Sequence, residues 1–147
     1  SVLLHMFPAA DVPVVQLSLN ARLPPSEHLA LGRALAPLRE EGVLVMGSGN
    51  VTHNLRHAFG SLQSGETATP EWASRFDGDV ARACEAHDGD FLASAVSTDE
   101  GRMSHPTVDH YLPLLYAAGA AGDRGAVRFP VTGFDLASLS MRAVLFD

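Results

Sequence analysis

The sequence predicts an α/β fold with a mostly parallel central sheet flanked by helices and with edge strands at the C-terminus. Two observations carry this expectation. Two short, apolar, β-branched runs, Val12–Leu19 and Val43–Met46, are separated by a helical pattern, and strand–helix–strand at this spacing makes a parallel βαβ unit. The second run leads into Gly47-Ser48-Gly49-Asn50-Val51-Thr52-His53-Asn54-Leu55-Arg56, which lies where open α/β sheets keep their ligands, beyond the carboxyl end of a strand. With 147 residues and 46% hydrophobic content, the chain has material for one α/β domain spanning 1–147.

Each element follows from local pattern. Pro13 stands at the entrance of the first expected strand, where a missing N–H does least harm to a ladder. Ser26 is placed to cap a helix whose Leu31, Leu35 and Leu38 recur at helical spacing and which closes at Arg39-Glu40-Glu41-Gly42. Pro37 should leave its last turn irregular. Val43–Met46 reads as the second buried strand, and His53 falls just inside the next helix. Residues 60–70, rich in Gly, Ser, Thr and Pro, read as a loop. Trp72, Phe76 and Val80 form one buried helical stripe, a short helix spans Asp90 to Ser97, and Thr98–Arg102 is a polar connection. Thr107 resembles an N-cap for the helix opened by His110, with Asp109 well placed in its first turn. Val127–Val131 and Ser140–Phe146 are expected as two edge strands.

Composition narrows the partners. A net charge of −7 with 10 Lys and Arg does not supply the phosphate neutralisation that nucleic acid or an anionic membrane demands. The ligand is expected to be small. Cys84 is the only cysteine, which excludes an intrachain disulfide and suits a reducing, cytoplasmic setting. No apolar run reaches the roughly 20 residues of a bilayer span.

Several chemistries fit the residues taken alone. Gly47-Ser48-Gly49 can form an anion nest, yet it lacks the third glycine of a dinucleotide fingerprint and the Gly-Lys-Ser/Thr of a P-loop; a close strand-to-helix turn explains it as well. His53 and His57 share the i, i+4 spacing of zinc-binding pairs, without the glutamate of a metalloprotease motif, and His57 also reads as a surface imidazole. His110 can chelate with His53 if their segments converge, although metal sites need three or four ligands. Ser48 or Ser104 as a hydrolytic nucleophile lacks the Gly-x-Ser-x-Gly elbow.

A resemblance adds to this. The runs Asp11-Val12-Pro13-Val14-Val15-Gln16-Leu17-Ser18, Gly47 through Arg56, His105-Pro106-Thr107-Val108-Asp109-His110-Tyr111-Leu112-Pro113-Leu114-Leu115-Tyr116 and Ser138-Leu139-Ser140-Met141-Arg142 closely resemble the class III extradiol ring-cleavage dioxygenases, in their 4,5-DOPA dioxygenase-like branch. The resemblance implies a non-haem Fe(II) site, or Zn(II) in its place, that opens a catechol ring such as that of DOPA with O₂. His53 matches a metal-site histidine described as ligand or as acid/base, and His110 matches a metal-site residue. His57 and His105 match no functional position. Family members carry a further N-terminal half with two early metal-site histidines and an Asp-His-Gly-Thr/Ser-Trp segment, none of it in this sequence. The chain opens at Ser1 in apolar sequence, without Met, and is expected to be the C-terminal portion of a larger catalytic domain. Such a portion holds part of a coordination sphere and exposes an apolar face, which implies self-association or a missing N-terminal segment. The other reading is a non-catalytic α/β module that binds a small anionic ligand at Gly47–Asn50.

Overall fold

The computed structural model describes residues 2–20 and 22–147; Ser1, at which the sequence opens, lies outside them. It is helical for most of its length, with its strands gathered at the C-terminal end. Helix α1 spans Val2–Met6, α2 Pro25–Glu40, α3 Leu55–Ser64, α4 Glu71–Glu85, α5 Gly89–Ser94, α6 Asp99–Ser104 and α7 Leu112–Ala121. Single 3₁₀ turns sit at Ala95–Ser97 and Val108–His110. Strands β1 (Val127–Val131), β2 (Phe134–Asp135), β3 (Leu139–Ser140) and β4 (Ala143–Phe146) follow.

Among the described residues the strands form two antiparallel pairs, β1 with β4 and β2 with β3. The expected parallel central sheet is therefore not seen. Val12–Leu19 and Val43–Met46 run as backbone outside any ladder, and their side chains are exposed, Val15 by 93% and Leu44 by 60%. The physical reason is that a β-branched apolar run specifies a burial preference, whereas a strand also needs a neighbour to receive its N–H and C=O groups. The C-terminal expectation was closer. Val127 pairs with Phe146 and Arg128 with Leu145, and a bulge before Val131 accommodates Pro130, which cannot donate to a ladder.

Three helical boundaries also differ from expectation. Helix α3 covers Gly60 to Ser64, read as loop, because Asn54 caps its start by accepting from the His57 N–H at 3.0 Å, and Gly65 at φ 75° closes it. Thr98, placed in a polar connection, caps α6 by accepting from the Gly101 N–H at 3.0 Å. Pro25 opens α2 in place of a Ser26 cap, using a ring whose φ is already helical. That helix continues through Pro37 and closes on tightened bonds, Glu41 N–H to Leu38 O at 3.1 Å and Gly42 N–H to Arg39 O at 3.0 Å.

The core lies between α4, α5 and α7. Phe76, Val80, Leu92, Ala95, Tyr111 and Leu115 are essentially inaccessible, and each large apolar side chain there contributes roughly 1.5–3 kcal/mol of burial. Helices α2 and α7 cross through glycine. A Cβ on Gly119 would stand 2.4 Å from the Leu29 carbonyl oxygen, and one on Gly32 would stand 2.6 Å from that of Tyr116. Beside this crossing, buried His28 meets the Tyr116 hydroxyl at 3.0 Å through Nδ1. Cys84 is fully buried, and burial pushes its thiol up to about 12.

Candidate metal centre

The loop after Met46 and the turn before α7 meet backbone to backbone. Asn50 N–H donates to the His110 carbonyl at 2.9 Å, and a Cβ on Gly49 would lie 2.1 Å from that same oxygen. Only glycine permits this approach. The contact lays the His53 ring on the His110 ring, with centroids 3.6 Å apart and planes 11° from parallel. His53 is thus two residues ahead of α3, and not inside it, while His110 ends its 3₁₀ turn.

Charges around the pair favour neutral imidazole at His53. Burial lowers its pKa, the neighbouring His110 lowers it further, and Asp109 opposes both. Asp109 Oδ2 lies 2.8 Å from His110 Nδ1, a nitrogen shielded from solvent and without an aligned hydrogen bond, so the two groups are paired by charge. A carboxylate there favours the tautomer with its proton on Nδ1 and its lone pair on Nε2, the arrangement common behind metal-binding histidines. The Asp109 carboxyl is itself held below its usual range, chiefly by a hydrogen bond from the Thr107 side chain.

The remaining ties fix the loop. Thr52 Oγ1 donates to the Ser138 carbonyl at 2.7 Å and accepts from the Ser140 N–H at 2.7 Å, while Asn50 Nδ2 donates to the Ser140 carbonyl at 3.1 Å. The β2–β3 hairpin is anchored in turn by Asp77. That carboxylate accepts from Ser140 Oγ at 2.6 Å and from Arg142 Nε and Nη2 at 3.0 and 2.5 Å. These clamps escaped the sequence reading, which had Ser138–Arg142 only as one of the runs that carry the resemblance.

The other candidates fall away from the pair. His57 turns to Ser138 Oγ at 3.1 Å and to the edge of Trp72 at 5.2 Å, so it does not join His53. Ser104 is fully buried and its Oγ has no hydrogen-bond partner. His105 is buried beneath the pair with its ring turned to the backbone, donating Nε2–H to the Val51 carbonyl at 2.7 Å. Among the described residues no group of three or more His, Cys, Asp or Glu is placed to hold a metal together. His53 and His110 fit a metal as a partial donor set: two imidazoles side by side, one backed by a carboxylate. Next to them opens a groove of about 640 Å³, lined by His110, Asn50, Leu44, Met46, Leu114 and Val144 among others.

A fold that brings together two histidines from separate segments, one of them following a glycine-rich loop, defines a site-bearing α/β protein, and comparison with known families places it. Residues 3–144 match the family described as the catalytic LigB subunit of aromatic ring-opening dioxygenase, and the chain belongs to that family. It is 39% identical over 147 residues to a 4,5-DOPA dioxygenase extradiol of Escherichia coli (strain K12), covering 97% of this chain and 53% of the relative. It is 37% identical over 122 residues to a protein of the same name from Beta vulgaris, covering 82% and 44%. The crystal structure of an uncharacterized protein from Escherichia coli K12 superposes with a TM-score of 0.84 at 37% identity, over 97% of this chain and 59% of that one. The chain thus spans about half the length of the curated relatives it matches.

Proposed function

We propose that this chain carries the His53 and His110 part of an extradiol dioxygenase that opens a catechol ring of DOPA type with O₂. The observation that supports it most is the stacked His53–His110 pair, formed by the two histidine-bearing runs among the four on which the resemblance rests. His110, oriented through Nδ1 by Asp109, would offer Nε2 to Fe(II), or to Zn(II), and His53 would lie at the metal as ligand or as acid/base. Fe(II), if held there, would supply open coordination positions for catechol and O₂. His53, kept neutral by burial and by its neighbour, has a ring nitrogen free to take the proton of a catechol hydroxyl and to return it later. Asp109 keeps the His110 ring in one orientation as charge at the site changes. With two histidines the chain holds part of a coordination sphere, so full activity is expected from a chain extended to the relatives' length.

The test is oxygen uptake with DOPA after anaerobic loading with Fe(II), measured on this chain and on such an extended form. Uptake by the extended form, abolished in His53→Ala and in His110→Ala, is the expected result. No uptake, together with a melting temperature that rises with small anions, would favour the anion-binding module instead. Against that alternative, the Asn50 N–H of the glycine-rich loop is already taken by the His110 carbonyl.

A further inference from the structure

We propose that His105 is a positioning residue whose ring clasps together the two segments that bear His53 and His110; this rests on reading that pair as the site. The last turn of α6 grips the His53 loop by successive hydrogen bonds. Asn54 Nδ2 donates to the Met103 carbonyl at 2.7 Å, His53 N–H to the Ser104 carbonyl at 2.9 Å, and His105 Nε2–H to the Val51 carbonyl at 2.7 Å. The middle bond joins main chain to main chain and survives almost any substitution. The third depends on the imidazole.

The same ring faces the other histidine's segment. It packs against Tyr111, the residue after His110, with centroids 5.2 Å apart, and against Phe76 of α4 at 5.7 Å. Tyr111 is immobilised in turn, fully buried with its hydroxyl donating to the Leu92 carbonyl at 2.9 Å. One side chain thus touches the backbone two residues before His53 and the ring one residue after His110.

The chemistry of the position calls for a neutral donor. A carbonyl only accepts, so Nε2 carries the proton. Nδ1 is buried without a partner, and burial outweighs the distant attraction of the Asp109 carboxylate for an imidazolium. Phenylalanine would keep the packing and lose the donor; glutamine would keep a donor while its methylenes fill part of the ring's place, so the donor is what the two variants separate.

The experiment is nuclear magnetic resonance on this chain, with neither metal nor substrate, so its outcome is independent of the dioxygenase reading. Long-range proton–nitrogen correlation at neutral pH should find His105 as the Nε2–H tautomer; an Nδ1–H tautomer overturns the proposal. Nuclear Overhauser contacts between the His53 and His110 rings, and the upfield shifts of stacked imidazoles, should be lost in His105→Phe and restored in His105→Gln, with circular dichroism unchanged in both. A folded His105→Phe variant that keeps the ring contacts overturns the proposal. If His105→Phe does not fold, His105→Gln decides: retained ring contacts support the clasp, and their loss in a folded protein refutes it. An extended chain inert toward DOPA and O₂, with the clasp intact, would refute the function alone.

Discussion

Protonation of His105 has a cost that the folded chain cannot relieve. Burial pushes this imidazole down from 6.5 to about 4, so between those values the unfolded chain binds a proton that the native chain refuses. Stability from this group is complete above about pH 6.5 and is lost as pH falls toward 4, by about 3 kcal/mol in all. His53, lowered in the same direction, adds to the slope. Urea midpoints measured at pH 7.5 and 4.5 should show the decline, and His105→Gln should flatten it. Gly49 makes a different demand. Gly49→Ala would drive a methyl group against the His110 carbonyl, 2.1 Å away, and displace one imidazole from the other. Circular dichroism should change little, while the ring contacts between His53 and His110 disappear.

Single elements carry strain that a substitution can release. The β2–β3 hairpin turns through Leu136 and Ala137, both left-handed at φ 46° and 64°, where a side chain costs roughly 1–2 kcal/mol per residue. Leu136→Asn with Ala137→Gly places residues that tolerate left-handed backbone there and should raise the melting temperature by several degrees; an unchanged or lower value would show that the present side chains repay their strain through packing. The α2–α7 crossing has no such freedom. Gly119→Ala, meeting the Leu29 carbonyl at 2.4 Å, should lower stability by about 1–3 kcal/mol through overpacking, read as a shifted urea midpoint. The helices were the legible elements, because a stripe such as Phe76 and Val80 declares its buried face within a few turns. Helix α3 was obscured by Gly60, Ser61 and Ser64, whose composition suggests a loop although Asn54 caps the segment. Val12–Leu19 and Val43–Met46 misled for the opposite reason: their composition is local, and the ladder partner a strand needs is not. Of the candidate site, His53 and His110 were legible from their motifs. Asp109 and His105 were not: Asp109 meets its neighbour His110 in a 3₁₀ turn where a helix start was expected, and the role of His105 arises only when distant loops close on one another.

Over the whole molecule, apolar surface lies where a sheet-forming sequence found no neighbour. Val14, Val15, Leu17 and Leu44 are each exposed by 60% or more, and Leu44 with Met46 helps to line the groove. Extended, unpaired and apolar backbone of this kind recruits other chains. Sedimentation of this chain should therefore show a mass that rises with concentration, and Val15→Lys with Leu44→Lys should lower it; a monomer at every concentration would contradict this. No helix among the described residues is long and apolar enough to cross a membrane, so a bilayer-spanning helix does not account for the surface. The sealed thiol of Cys84 has a practical use here. The chain's sole sulfhydryl is buried and almost wholly protonated at neutral pH, which makes it a poor nucleophile. A thiol installed by Ser48→Cys at the groove's exposed rim would be the one that maleimide reaches. Its labelling rate would register, moment by moment, whatever comes to cover that face, without removal of the native cysteine.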